Sequence, residues 1–139
     1  MKTRILAISM VAIALALSAC GAQGESEQQA VLPGDTEYEH VEDLKDALVA
    51  ECFPCSEWEL TDLGSQVTSG DCNDDDLSPV TVVVTVFDSE SEKEGFIRTY
   101  KGFSDSAGFL VVGKNWVMLN VPDAEHWAEK LGAKADVWW

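Results

Sequence analysis

Basic side chains are scarce in this chain of 139 residues: 9 Lys and Arg stand against 25 Asp and Glu, a formal net charge of −16. Lys2 and Arg4 fall among the first nineteen residues, which carry no acid, so from Cys20 onward 7 bases face 25 acids and the net is −18. No basic stripe is left for a phosphate backbone, which excludes nucleic acid, and anionic headgroups would repel the same surface. A basic peptide, a cation or a cationic polymer would be attracted; the plainer alternative is a well-solvated extracellular surface. Histidine is limited to His40 and His126. There is no Gly-x-Ser-x-Gly elbow and no His-Glu-x-x-His, and His126 sits among Asp123, Glu125 and Glu129 without the ligand cluster that zinc needs. No acid/base pair and no cofactor motif stands out, so the chain reads as non-enzymatic. Long apolar runs are missing too: Ile5 to Leu17, broken only by Ser9, is too short for a membrane span of about 18 residues or more and reads as the apolar region of an export signal.

What the N-terminus does contain is Lys2 and Arg4, that apolar run, and Leu17-Ser18-Ala19-Cys20. This series resembles a bacterial lipobox. The resemblance implies that the Cys20 thiol receives a diacylglyceryl group, that cleavage occurs before it, and that the freed amine can be acylated as well. Residues 1–19 are then a signal peptide and the mature chain is held by lipid at the extracytoplasmic face of the cell membrane, two acyl chains giving a stable anchor where one is marginal. Residues 20–39, rich in Gln, Glu, Gly and Ser with a Pro33-Gly34 turn signal, read as the lipidated Cys plus a tether that holds the rest roughly 25 Å from Cys20.

Cysteine is rare, four in all, and lipid on Cys20 leaves Cys52, Cys55 and Cys72. Outside the cytoplasm one pair should oxidise. Cys52 and Cys55 would close only a minimal loop, which favours Cys55 with Cys72 at about 3 kcal/mol and leaves Cys52 spare, either buried or reactive. Cys52-Phe53-Pro54-Cys55 also has the C-x-P-C form of thiol-disulfide sites, one of two alternatives to a non-catalytic binding or scaffolding module, the other being a purely structural lipoprotein. Thiol-disulfide sites open a helix, whose N-terminus lowers the thiol pKa, whereas this one closes a helix. Asp71 to Asp76 begins like a calcium loop but has Asp76 and Val82 where an EF-hand needs Gly and Glu, leaving at most a looser surface site.

Residues 40–139 read as one α+β domain. Val41, Leu44, Ala47 and Leu48 recur at helical spacing over 41–51. Short strands follow at 58–61 and 66–72, and 80–87 is the strongest strand, all Val, Thr and Phe. Ser89 to Glu92 fits a capping box for a helix to about Phe103. Strands at 109–112 and 115–121 flank Gly113-Lys114, which suits a two-residue II′ turn. Pro122-Asp123 opens a helix with Ala124, Trp127, Ala128 and Leu131 on its apolar side and Gly132 as its stop, and 135–139 is a final strand. From Val80 onward the order matches a ferredoxin-like split βαβ, with a helix and a strand pair in front.

The Val-Glu-Asp-Leu-x-x-Ala-Leu helix at 41–48, the Cys after it, Ser69-Gly70-Asp71-Cys72 and Val112-Gly113-Lys114-Asn115-Trp116 resemble small uncharacterised lipoproteins of actinobacteria. That resemblance implies a Cys55–Cys72 bridge, carries no catalytic residues, and puts Cys52 where a small helix-stop residue such as Gly is expected.

Five tryptophans suit stacking on a peptide, a glycan or an envelope protein, or simply a second covering layer. A two-residue turn at 113–114 pairs Val111 with Trp116 and Phe109 with Met118 on one face, with Val117, Leu119 and Val121 turned toward the two helices after Val80. Trp138 is expected to join Trp116 and Met118. That face is either covered by Val41, Leu44 and Leu48 or used for binding, and coverage with a partial cleft beside Trp116 is the expectation.

Overall fold

A computed structural model describes residues 31–62, 68–104 and 107–139. Its helices are α1 (Val41–Ala50), α2 (Glu90–Phe103) and α3 (Ala124–Leu131); its strands are β1 (Glu57–Asp62), β2 (Thr68–Asn73), β3 (Val82–Val86), β4 (Gly108–Val112), β5 (Trp116–Leu119) and β6 (Lys134–Trp138). The strands form one antiparallel sheet in the order β1-β2-β3-β5-β4-β6, an α+β fold.

Local chemistry sets the helix ends. α1 closes through a Schellman motif: Cys52 N–H donates to the Val49 carbonyl and Phe53 N–H to the Leu48 carbonyl, with Cys52 at φ 65°. Cys52 therefore occupies the left-handed position that Gly usually fills. Leu48 and Phe53 are buried together, completing the motif's apolar contact. α3 ends the same way, Gly132 at φ 66° allowing Ala133 N–H to reach the Ala128 carbonyl. Ser89 Oγ accepts from Glu92 N–H at 3.3 Å and starts α2.

Strand alternation then divides the apolar residues between two faces. Val82, Val84 and Val86 of β3, with Val111, Trp116 and Met118, lie under α1 through Val41, Leu44 and Leu48 and under α3 through Ala124, Ala128 and Leu131. Val117, Leu119, Leu110 and Phe87 lie on the reverse, packed by Phe96, Ile97 and Tyr100 of α2.

Three expectations are corrected here. The ferredoxin-like order is not formed: β5 does insert between β3 and β4, but β6 pairs with β4 because β2 already occupies the outer edge of β3. The hairpin turn is Lys114-Asn115, with Gly113 N–H donating to the Trp116 carbonyl, so Val111 faces Met118 and Val112 faces Val117. Gly113 lacks the positive φ that a II′ turn would demand. The register differs by two positions, which returns each side chain to its expected face and leaves Val111, Trp116 and Met118 together. Finally, α3 joins α1 on the Trp116 face, so Val117 and Leu119 meet α2 alone and Val121 sits with Trp116.

The fold also begins earlier than residue 40. Pro33–Asp35 is a short 3-10 turn whose Pro33 and Gly34 are buried. Trp116 Nε1 donates to the Pro33 carbonyl at 2.9 Å, and Lys114 N–H to the Gly34 carbonyl at 2.9 Å. A Cβ on Gly34 would lie 2.1 Å from the Gly132 carbonyl oxygen, so only Gly permits this approach to the end of α3. Composition had marked these residues as tether; long-range contacts make them structure.

Candidate functional site

A cleft of about 760 Å³ lies where three connections meet: the arriving segment at Glu37–Glu39, the β3–α2 junction at Phe87–Glu90, and the β4–β5 tip at Lys114 and Asn115. Asn115 fastens them. Its Oδ1 accepts from Tyr38 N–H at 2.9 Å, its Nδ2 donates to the Tyr38 carbonyl at 2.8 Å and the Phe87 carbonyl at 3.2 Å, and its own carbonyl accepts from Phe87 N–H at 2.8 Å. An amide is suited to this because it offers an acceptor and two donors at once.

Four carboxylates line the cleft against one ammonium. Glu37 lies 3.6 Å from Lys114, and Glu90 pairs with Lys93 at 2.9 Å. Glu39 and Asp88 are exposed and have no ion-pair partner among the described residues. Burial raises the Tyr38 phenol above its ordinary value, against a smaller lowering by its hydrogen bond with Thr36, so Tyr38 stays neutral across the physiological range. Ser89 holds α2, and Phe87 is buried against Phe96 with 5.2 Å between ring centroids. What remains available is a negative field over an aromatic-edged hollow, which attracts and orients cations.

The residues expected to form a site are dispersed. Trp116 and Met118 share a face but are wholly buried, so neither offers its own surface to a ligand. Trp138 is on the opposite face, against Tyr100 and under the Lys101 ammonium, because β6 pairs Trp138 with Gly108. These three residues therefore make no common binding surface. Cys55 and Cys72 are joined, with Cα atoms 5.1 Å apart, and Cys52 is not the free thiol that was expected. Cys20 lies outside the described residues, and no helix among those described is long and apolar enough to cross a membrane.

The acidic turn after β2 is used internally: Asp74 accepts from the Ser56 and Asp76 N–H groups, each at 3.0 Å, and these bonds hold its carboxyl below the usual carboxylate range. Among the described residues no group of three or more His, Cys, Asp or Glu is placed to hold a metal ion. Asn115 and Lys93 were missed in the sequence. The first stood in plain view within the Val-Gly-Lys-Asn-Trp hairpin, but its partners are 28 and 77 positions away. No protein-family model, no curated protein and no solved structure matches this chain.

Proposed function

We propose that this is a lipid-anchored protein of the bacterial cell envelope, acylated at Cys20, whose domain is a non-catalytic binding module for a basic peptide segment of an envelope partner. The observation that carries the binding half is the cleft in which Glu39 and Asp88 stand uncompensated. Lys or Arg side chains would meet carboxylates there without displacing an existing ion pair. The cleft begins five residues beyond Leu32, where the tether hands over to the fold. Lipid on Cys20 would hold the domain near the membrane surface that its own charge avoids.

Two measurements test this. Calorimetry on the purified mature protein should show trilysine binding that weakens as salt rises and falls at least fivefold in Glu39→Gln/Asp88→Asn, with no binding of triglutamate. Equal uptake of both peptides, or an unchanged double variant, rejects the cleft. For the anchor, mass spectrometry should find a diacylglyceryl thioether on an N-terminal Cys20. Cleavage elsewhere, or a Cys20–Cys52 disulfide in the mature chain, rejects it, because one sulfur cannot hold both bonds. The thiol-disulfide alternative gains nothing from the geometry, since Cys55 is bonded to Cys72 and cycling with Cys52 would first require that bridge to open.

A further inference from the structure

A second surface lies away from the cleft, at the β6 end of the sheet. β6 pairs with β4 alone among the described strands, so one side of it is a sheet edge. Alternate residues of such an edge turn their N–H and C=O groups outward, where an added strand can pair with them. Natural edges of this kind are usually blunted by charge, as Lys134 does at the start of β6, but the far end of this strand is apolar. Trp139 is 93% exposed and meets Phe109 edge-on, with ring centroids 5.9 Å apart. Phe109 is the register partner of Val137, so the two share a face. With Ala124 they line a hollow of about 210 Å³ rimmed by Asp123 and Glu125. That volume admits one aliphatic side chain and is too small for a drug-sized ligand, which needs about 300 Å³ or more.

We infer that β6 docks an extended peptide that carries one apolar side chain between two basic ones. The backbone adds to the edge. Alternate residues of a strand share a face, so the apolar side chain enters the Phe109–Trp139 hollow while its i−2 and i+2 neighbours reach toward Asp123 and Glu125. An exposed Trp and Phe are the residue types that anchor interfaces. Charge decides between occupants: a second copy of this chain, at a net of −16, would bring a like-charged rim to an acidic rim, whereas Lys or Arg complements it. This surface is separate from the cleft at Glu39 and Asp88, and either can fail without the other.

The test uses the 15N-labelled mature protein and the blocked peptide Ac-Lys-Thr-Leu-Thr-Lys-amide. Amide shifts should concentrate at 134–139 and 109, with slowed hydrogen exchange at alternate β6 amides. Binding should weaken at least tenfold in Trp139→Ala, in the peptide with Ser for Leu, and in the peptide with Glu for both Lys. A peptide N-methylated at alternate positions should also lose binding, because it cannot complete the ladder. Unweakened binding of the methylated peptide, or shifts confined to 37–39 and 114–115, would overturn the inference, as would no binding at all. Concentration-dependent self-association abolished by Trp139→Ala would assign the surface to a second copy instead.

Discussion

The indole N–H of Trp116 donates to the carbonyl of Pro33 at 2.9 Å, joining residues 83 positions apart at a point where Trp116 is wholly buried. This bond ties the beginning of the fold to the middle of its sheet. Trp116→Phe keeps an aromatic ring but removes the indole donor, leaving the buried Pro33 carbonyl with only its bond from Thr36 N–H at 3.2 Å and a void beside it. We expect a loss of about 1–2 kcal/mol, read as a lower urea midpoint at unchanged slope. A loss under about 0.5 kcal/mol would mean that the Thr36 N–H alone suffices for the Pro33 carbonyl.

Lys93 is 6% exposed, and its ammonium donates to the Gly113 carbonyl at 3.0 Å and the Lys114 carbonyl at 2.6 Å while pairing with Glu90 at 2.9 Å. A buried cation is tolerated only when its donors are satisfied, and here three oxygens do so. α2 is thereby pinned to the β4–β5 tip, beside the acidic cleft. Lys93→Met preserves the aliphatic stem but strands two carbonyls. It should cost about 2 kcal/mol in urea unfolding and broaden the amide resonances of Lys114 and Asn115. An unperturbed hairpin tip in the variant's spectrum would show that β5 alone orders it.

The elements decided by near neighbours were legible. Val41, Leu44 and Leu48 announce α1, Ser89 caps α2, and Gly132 stops α3, each through contacts within a few residues. Strand order was not, because the free edges of β3 and β4 both offer unpaired backbone and only the β1–β2 hairpin, by taking the first, directs β6 to the second. The side of Trp138 followed that choice, since its face is set by which strand it joins. Leu32 to Thr36 read as tether because their polarity is that of a linker; their docking rests on Gly34, Gly132 and Trp116, far apart in sequence. The cleft was invisible for the same reason: Glu39, Asp88 and Lys114 converge only after Asn115 has joined three segments.

The Cys55–Cys72 bridge closes a separation of 17 residues and fastens the chain after α1 to the buried side of β2, where Cys72 is 1% exposed. In the chain-entropy account a loop of this length is worth about 3 kcal/mol. Cys55→Ala/Cys72→Ala should therefore lose about that much stability in urea while keeping the sheet's far-ultraviolet circular dichroism. Because the two Cys are removed together, no lone thiol confuses the comparison. A double variant as stable as the parent would show that packing of Trp58 and Phe53 around the site suffices without the covalent link.

Asp74 gives the acid limb of stability a definite sign. Its carboxyl titrates below its ordinary 3.8, chiefly because it accepts from Asp76 N–H and then from Ser56. A depressed pKa in the folded state means that the ionised form is bound more tightly there. The stabilisation is present above pH 3.8 and is lost as pH falls through the lower folded value. The group is solvent-accessible, so the effect is local. Carbon-detected titration should place the Asp74 midpoint below 3.8, and hydrogen exchange at the Ser56 and Asp76 amides should accelerate below pH 3.8. Asp74→Asn should remove that acceleration's pH dependence. An Asp74 midpoint at or above 3.8 would mean that the ionised carboxylate does not hold the turn after β2.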